Sequence, residues 1–232
     1  TRRGIDIATV KDRLKDQEIE TPSWGYGNSG TRFGVFKQVG AARDVHERLS
    51  DAAQVHKFTG VCPSVALHIP WDKVEDYDAL TEEAKDLGVK IGAINPNVFQ
   101  DDDYKLGSFA HRDPQVRAKA LGHIEECVDI MLRTGSKLLS LWFADGTNYP
   151  GQDDLISRKQ YFQEGLKATH DMLPNDCRML IEYKFFEPAF YHTDVPDWGL
   201  ALVFANRTGS KAEVLVDLGH HPLCTNIEHI VA

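Results

Sequence analysis

Cysteine is scarce and scattered in this sequence. The 232 residues hold four, Cys62, Cys127, Cys177 and Cys224. None lies in a Cys-x-x-Cys spacing, which argues against both a zinc knuckle and a disulfide framework. Cys127 and Cys177 fall in helical or strand-leading patterns and are expected to be reduced packing residues. Positive charge is also short. Against 35 Asp and Glu stand 26 Lys and Arg, for a formal charge of −9, whereas a nucleic-acid groove needs clustered cations to meet phosphates. No apolar run approaches the roughly 20 residues of a membrane helix. Nor does an apolar core follow Arg2 and Arg3, as a secretory leader would require. The expectation is a cytoplasmic protein without nucleic-acid or membrane partners. An initiator Met is lacking, and 227–232 reads as a helix just opening. Both features suggest a piece of a longer chain, truncated at both ends. Internal repeats and low-complexity tracts are absent too.

What the sequence does contain is 42% hydrophobic residues, enough for one sizeable domain over 1–232. Its most informative stretch is Val214-Leu215-Val216-Asp217-Leu218-Gly219-His220-His221. A short apolar run bounded by Gly reads as a buried parallel strand, over 212–217. Polar residues at the carboxyl end of such a strand sit where α/β sheets and barrels keep their chemistry. An Asp and a neutral His a few residues apart can both ligate a divalent metal. Read alone, Asp-x-x-His is equally consistent with Asp217 capping a turn beside two solvated imidazoles.

Further strands are predicted at 65–71, 89–99, 137–143 and 178–183, with a weak first one near Trp24. Between them fall helices at 41–56, from Asp72 to a cap at Gly88 (Ala79, Leu80, Ala84 and Leu87 inward), from Asp113-Pro114 to Gly135, at 158–172 and at 198–205. The first twenty residues are charged and helix-prone. This alternation means βα units around a parallel sheet. A doubly wound sheet would open with a Gly-rich phosphate loop, and the Gly25 to Gly30 loop lacks that spacing. Polar residues mark five successive strand exits: His68; Asn95 and Asn97; Trp142 and Asp145; Glu182 and Lys184; Asp217 and His220. Such convergence on one mouth predicts an α/β fold, a (β/α)8 TIM barrel with about six of its eight units present.

Glu182 and Asp217 end consecutive predicted strands, so their carboxylates can converge on one metal. Lys184, two residues past Glu182, points the same way, although a plain salt bridge would explain the pair equally well. A lone strand histidine such as His68 is more often a packing residue than a catalyst. Trp24, Trp71, Phe99 and Trp142 all fall at strand exits, and four aromatics at one end suggest the wall of a carbohydrate pocket.

Several longer motifs narrow the reading: Thr21-Pro22-Ser23-Trp24-Gly25, Gly30-Thr31-Arg32-Phe33, Leu67-His68-Ile69-Pro70-Trp71-Asp72, Glu182-Tyr183-Lys184 with Glu187-Pro188-Ala189-Phe190-Tyr191, and Val216-Asp217-Leu218-Gly219-His220-His221. In this order, over essentially the whole chain, they resemble the L-rhamnose isomerase family, its broad-specificity bacterial branch, within the xylose isomerase-like barrel superfamily. The resemblance implies a metal-dependent aldose–ketose isomerase of rhamnose catabolism. It implies two divalent ions per site, Mn²⁺ ahead of Co²⁺ or Mg²⁺, with Glu182 and Asp217 on a structural ion and His220 on a catalytic one. The remaining ligands would lie beyond Ala232. His68 and Lys184 are implied as catalytic contacts to the sugar, His68 as an acid or base whose ordinary pKa lies near working pH. Trp24, Trp71, Phe99 and Trp142 would line the pocket, and Phe33 would reach into a neighbouring subunit of a homotetramer. The chemistry implied is a hydride shift between C1 and C2, with the developing alkoxide stabilised by the cations. The piece alone is expected to be inactive and poorly soluble, since an open sheet exposes an edge.

Three rival readings remain at this level. A related sugar isomerase or 3-epimerase could occupy the same barrel. A DNA-repair endonuclease of related fold would need a basic face. A non-catalytic sugar- or metal-binding module would fit if the chain is complete as given.

Overall fold

The computed structural model describes residues 4–30, 35–185 and 189–232. Along these the chain alternates strand and helix as its hydrophobic pattern requires. Helix α1 (Ile7–Lys15) is followed by β1 (Glu20–Pro22), a 3₁₀ turn (Ser23–Gly25), α2 (Val45–Thr59), β2 (Ser64–Ile69), α3 (Tyr77–Asp86) and β3 (Lys90–Pro96). A second 3₁₀ turn (Asp102–Leu106) then leads to α4 (Pro114–Arg133), β4 (Leu138–Leu141), β5 (Gly146–Thr147), α5 (Leu155–Met172) and β6 (Arg178–Glu182). The chain closes with β7 (His192–Thr193), α6 (Trp198–Thr208), β8 (Ala212–Leu215) and α7 (Ile227–Val231).

Six strands form one sheet in the order β1-β2-β3-β4-β6-β8, and every pairing is parallel. This is the sheet of a partial (β/α) barrel. Strand period sorts its residues onto two faces. Val65, Leu67, Ile69, Ile94, Leu139, Leu141, Met179 and Ile181 are buried in the hydrophobic core. The alternate positions, Ala66, His68, Ala93, Asn95, Ser140, Trp142, Leu180 and Glu182, line a cavity of about 440 Å³ on the other face.

The start of α4 follows the expected signal. Asp113 caps the helix by accepting from the Gln115 N–H, Pro114 fills the first turn, and Gly135 takes the left-handed conformation just past the end. Gly92 is required for another reason. Glu20 of β1 reaches across β2, accepting from Ser64 Oγ at 2.7 Å and from the Ala93 N–H at 3.1 Å. A Cβ on residue 92 would sit 1.4 Å from that carboxylate.

Five expectations need correction. The strand expected to be buried over 212–217 is β8 (Ala212–Leu215), and as the last strand of the sheet it is only partly buried, with Glu213 exposed. The first strand ends at Pro22, and Trp24 rides the 3₁₀ turn that follows. Helix α3 begins at Tyr77, capped by Asp76, instead of at Asp72. Its inward stripe is Tyr77, Leu80 and Ala84, which leaves Ala79 and Leu87 exposed. Asp145 turns away from the cavity into a buried network described below. The short antiparallel pair of β5 and β7 was not foreseen, because two-residue strands carry no periodicity. Cys127 and Cys177 are fully buried and unbridged, as expected. Among the described residues no helix is long and apolar enough to cross a membrane.

Candidate active site

The cavity lies where the strands end, and its lining comes from β1, β2, β3, β4, β6 and β8 or the residues just beyond them. One side is aromatic. The His68 ring stacks on Trp71, with centroids 3.9 Å apart and planes inclined by 22°. Trp24 and Phe99 meet His68 edge-on at 5.3 and 5.7 Å. Phe99 meets Trp142 edge-on at 4.6 Å, and the Lys184 ammonium stands 5.6 Å above the Trp142 ring. Five rings thus form a continuous wall ending in a cation, an arrangement that aromatic quadrupoles favour.

The other side is polar. The ligand atoms of Glu182, Asp217 and His220 all lie within 4.8 Å of one another. His220 Nδ1 is 2.8 Å from the Tyr183 carbonyl, 3.2 Å from Glu182 Oε1 and 3.6 Å from Asp217 Oδ2. Partial burial works against the imidazolium. The hydrogen bond and charge of Glu182, then Asp217 and the Tyr183 carbonyl, outweigh it and raise the pKa of His220. Oxygens that hold a proton this way also suit a divalent cation, and two carboxylates with an imidazole are donors for a hard to borderline ion. The residues present therefore fit a divalent metal, and the three donor groups lie close enough together to share one ion.

Asp217 does cap a turn: its Oδ1 accepts from the Gly219 N–H at 2.6 Å. Its Oδ2 faces His220, so the turn and the site use different oxygens. The two histidines are anchored rather than solvated, His220 by the Tyr183 carbonyl and His221 Nε2 by the Tyr183 hydroxyl, 2.8 Å away. Burial, then the charges of Asp217 and Glu182, push the Tyr183 phenol up to about 12, so it stays protonated. Tyr183 was legible as part of a motif but carried no role until its two contacts were seen.

His68 is 6% exposed. Burial, followed by the charges of His123 and Arg48, pushes its pKa down to about 3. This corrects the expectation of a proton carrier near working pH. The ring is neutral there and can donate or accept a hydrogen bond. Its Nδ1 and the Trp142 Nε1 lack hydrogen-bond partners among the described residues, and both rings line the cavity. The consequence is measurable. With a folded pKa near 3 against 6.5 unfolded, the unfolded chain takes up a proton that the native chain refuses. His68 therefore leaves stability intact above pH 6.5 and erodes it as pH falls toward 3. Nitrogen-resolved NMR of the imidazole should show the neutral form down to about pH 3, and titration near 6.5 would contradict the burial argument.

A second group of charges, of which sequence reasoning named only Asp145 and as a cavity residue, braces the exit loops. Asp145 accepts from the Ser108 N–H, the Ser108 hydroxyl and the Ala110 N–H, each at 2.8 Å. Arg158 of α5 donates to Asp194 at 2.6 Å and to Asp153 and the Leu106 carbonyl at 2.9 Å. His192 Nε2 lies 3.0 Å from Asp194. The loops after β3, β4 and β6 are joined by these bonds and by the β5–β7 pair. Phe33 lies outside the described residues, as do Glu187 and Pro188.

No protein-family model matches the chain. It is 44% identical over 236 aligned residues to a probable sugar isomerase of Rhizobium meliloti (strain 1021), covering 100% of this chain and 55% of that protein. A probable sugar isomerase of Mesorhizobium japonicum is 40% identical with the same coverage. Along its whole length the chain is similar to probable sugar isomerases. A xylose isomerase of Thermus thermophilus aligns at 30% identity over 47% of this chain and 32% of its own length. The chain spans about half the length of the first two relatives, 55% in each case.

Solved structures show the barrel fold. An AP endonuclease of family 2 from Brucella melitensis superposes with a TM-score of 0.65 at 16% identity, over 93% of this chain and 74% of that one. A D-allulose 3-epimerase from Methylomonas sp. gives 0.61 at 13% identity, over 85% and 62%. At such identities the likeness concerns the fold alone. The Glu182–Asp217–His220 cluster and the aromatic wall are features of this chain's own residues.

Proposed function

We propose that this site is that of a metal-dependent aldose–ketose isomerase of the L-rhamnose isomerase type, converting L-rhamnose to L-rhamnulose by a hydride shift between C1 and C2. One observation carries the reading: the Glu182–Asp217–His220 cluster faces an aromatic-walled cavity of about 440 Å³, large enough for a monosaccharide. Similarity to probable sugar isomerases over the whole chain supports it.

Glu182, Asp217 and His220 would hold divalent metal, two ions per site in this reading, with Mn²⁺ first and Co²⁺ or Mg²⁺ as alternatives. A bound cation supplies Lewis-acid polarisation of the sugar carbonyl and charge stabilisation of the developing alkoxide. The protein's own groups do the rest. Trp24, Trp71, Phe99 and Trp142 lie against the apolar C–H faces of the sugar and exclude water. Neutral His68 and the Trp142 indole N–H take up its hydroxyls with atoms that lack partners among the described residues. Lys184 places positive charge beside the sugar oxygens. In the whole protein, Phe33 entering a neighbouring site of a homotetramer and a cytoplasmic location complete the proposal.

A ketose 3-epimerase on the same barrel is the second reading. The two differ in which hydrogen moves and how. Incubation with L-rhamnose and Mn²⁺ in D₂O should yield L-rhamnulose carrying little solvent deuterium, because a hydride shift retains the substrate hydrogen. Inversion at C3 of a ketose, with deuterium entering at that carbon and no aldose formed, would replace the isomerase reading with the epimerase one.

A further inference from the structure

Asp72 is 1% exposed and sits beneath the aromatic wall without lining the cavity. Three separate segments donate to it. The Ser23 hydroxyl, in the turn after β1, and the His68 N–H, near the end of β2, both bond its Oδ2, the latter at 2.7 Å. Arg48 of α2, itself 7% exposed, bonds its Oδ1 at 2.6 Å and the Trp71 carbonyl at 3.2 Å. Each strut ends on, or one residue away from, a ring of the wall. Ser23 precedes Trp24, His68 carries its own ring, and Asp72 follows Trp71.

The surroundings are shaped to keep this arrangement. A Cβ at Gly27 would lie 2.9 Å from Arg48 Nε and 3.0 Å from Nη2, so the bare backbone there makes room for the guanidinium. Replacing a buried ion pair outright by apolar residues is often neutral for stability, and in some proteins such pairs serve to fix geometry. Here that geometry is the spacing of Trp24, His68 and Trp71, whose rings stand 5.3 and 3.9 Å apart in sequence.

We propose that Asp72 is a positioning residue that sets the separation of the Trp24, His68 and Trp71 rings, and through them determines which sugar stereoisomers the cavity accepts. The selectivity half of this inference rests on the sugar-isomerase reading; the positioning half does not. Stacking energy depends steeply on ring placement, and a shift of a few tenths of an ångström changes which hydroxyl His68 can reach. Asp72 touches no reacting atom in this scheme, so its loss acts on binding and discrimination before it acts on the chemical step.

The test uses Ser23→Ala and Asp72→Asn in the full chain, each compared with the parent by two readouts. The first is quenching of tryptophan fluorescence by iodide without sugar. The second is kcat and KM for two aldoses epimeric at one carbon. Ser23→Ala removes a single strut and leaves the Arg48–Asp72 pair, so the fold is retained. Its quenching constant should rise, its KM for the preferred aldose should rise about tenfold with kcat within about twofold, and its preference between the epimers should shrink by a similar factor. Asp72→Asn, if it folds, should show the same changes more strongly; if it does not, Ser23→Ala decides. Parental quenching, KM and epimer preference in Ser23→Ala would overturn the proposal. If the parent isomerises no aldose, the sugar reading and the selectivity half fall together, and quenching alone then decides the positioning half, a rise supporting it and parental values overturning it.

Discussion

Replacing Glu182 by Gln in the whole protein is expected, on the proposed reading, to lower isomerase kcat/KM by more than roughly hundredfold, because changes even to partners outside a ligand set cost about 10- to 100-fold in metal affinity. The substitution keeps the shape of the side chain and removes the charge. Two consequences separate this from general damage. Glu182 supplies the hydrogen bond and charge that do most to raise the His220 pKa against burial, so the imidazole of the variant should titrate lower than in the parent protein. Calorimetric titration with Mn²⁺ should show a matching loss of affinity while the thermal transition of the metal-free chain moves little. Parental Mn²⁺ affinity in the variant would remove Glu182 from the ligand set, and with it the reading of the cluster.

The second large effect is on stability. Arg158 is 1% exposed and bonds Asp194, which is also 1% exposed. Arg158→Met leaves that carboxylate buried without its cation and leaves Asp145, likewise 1% exposed, without the guanidinium that helps to balance it. Breaking a buried pair from one side costs about 3–5 kcal/mol. For a chain of this size that corresponds to a fall in Tm of roughly 6–20 °C. The pH dependence has a defined sign. Burial works to raise the Asp194 pKa, yet bonds from His192 and Arg158 hold it below the usual carboxylate range. The stability it confers is therefore present above the ordinary Asp value and lost as pH falls through the lowered one. Without Arg158 that loss should begin at higher pH. Burial, then the charge of Asp194, instead raises the Asp145 pKa, so its contribution is lost as pH rises through that raised value. Thermal melts of parent and variant from pH 3 to 8 would check both; superimposable curves would show that Arg158 does not balance these carboxylates.

The parts legible in the sequence are those specified by neighbouring residues. Asp113, Pro114 and Gly135 bracket α4 with cap chemistry local to each end, and the strands of β2, β3, β4 and β6 announce themselves as apolar runs. The ring wall could be read because Trp71, Phe99 and Trp142 each follow such a run. What could not be read depends on partners far along the chain. Asp72 and Asp76 are both capping residues by type, and only the burial of Asp72 against Arg48, 24 residues earlier, removes it from the start of α3. Arg48 itself sits in a helix whose charge pattern marks it as a surface element, yet its guanidinium is buried. Asp145 looks like one more polar strand exit until Ser108, 37 residues before it, supplies its donors. The lowered His68 pKa follows first from burial among the surrounding rings, a property of the packed site that no local spacing encodes.

The wall and the ligand cluster draw on different strands. The rings are carried by the ends of β1, β2, β3 and β4 or the residues just beyond them, whereas Glu182 ends β6 and Asp217 and His220 follow β8. In the proposed reading, the rings that face the sugar and the groups that would hold the cation therefore fall in separate halves of the sheet, with Lys184 reaching from the second half toward the Trp142 ring of the first. On that reading, substitutions confined to the first four units would change sugar choice and leave the cation site as it is.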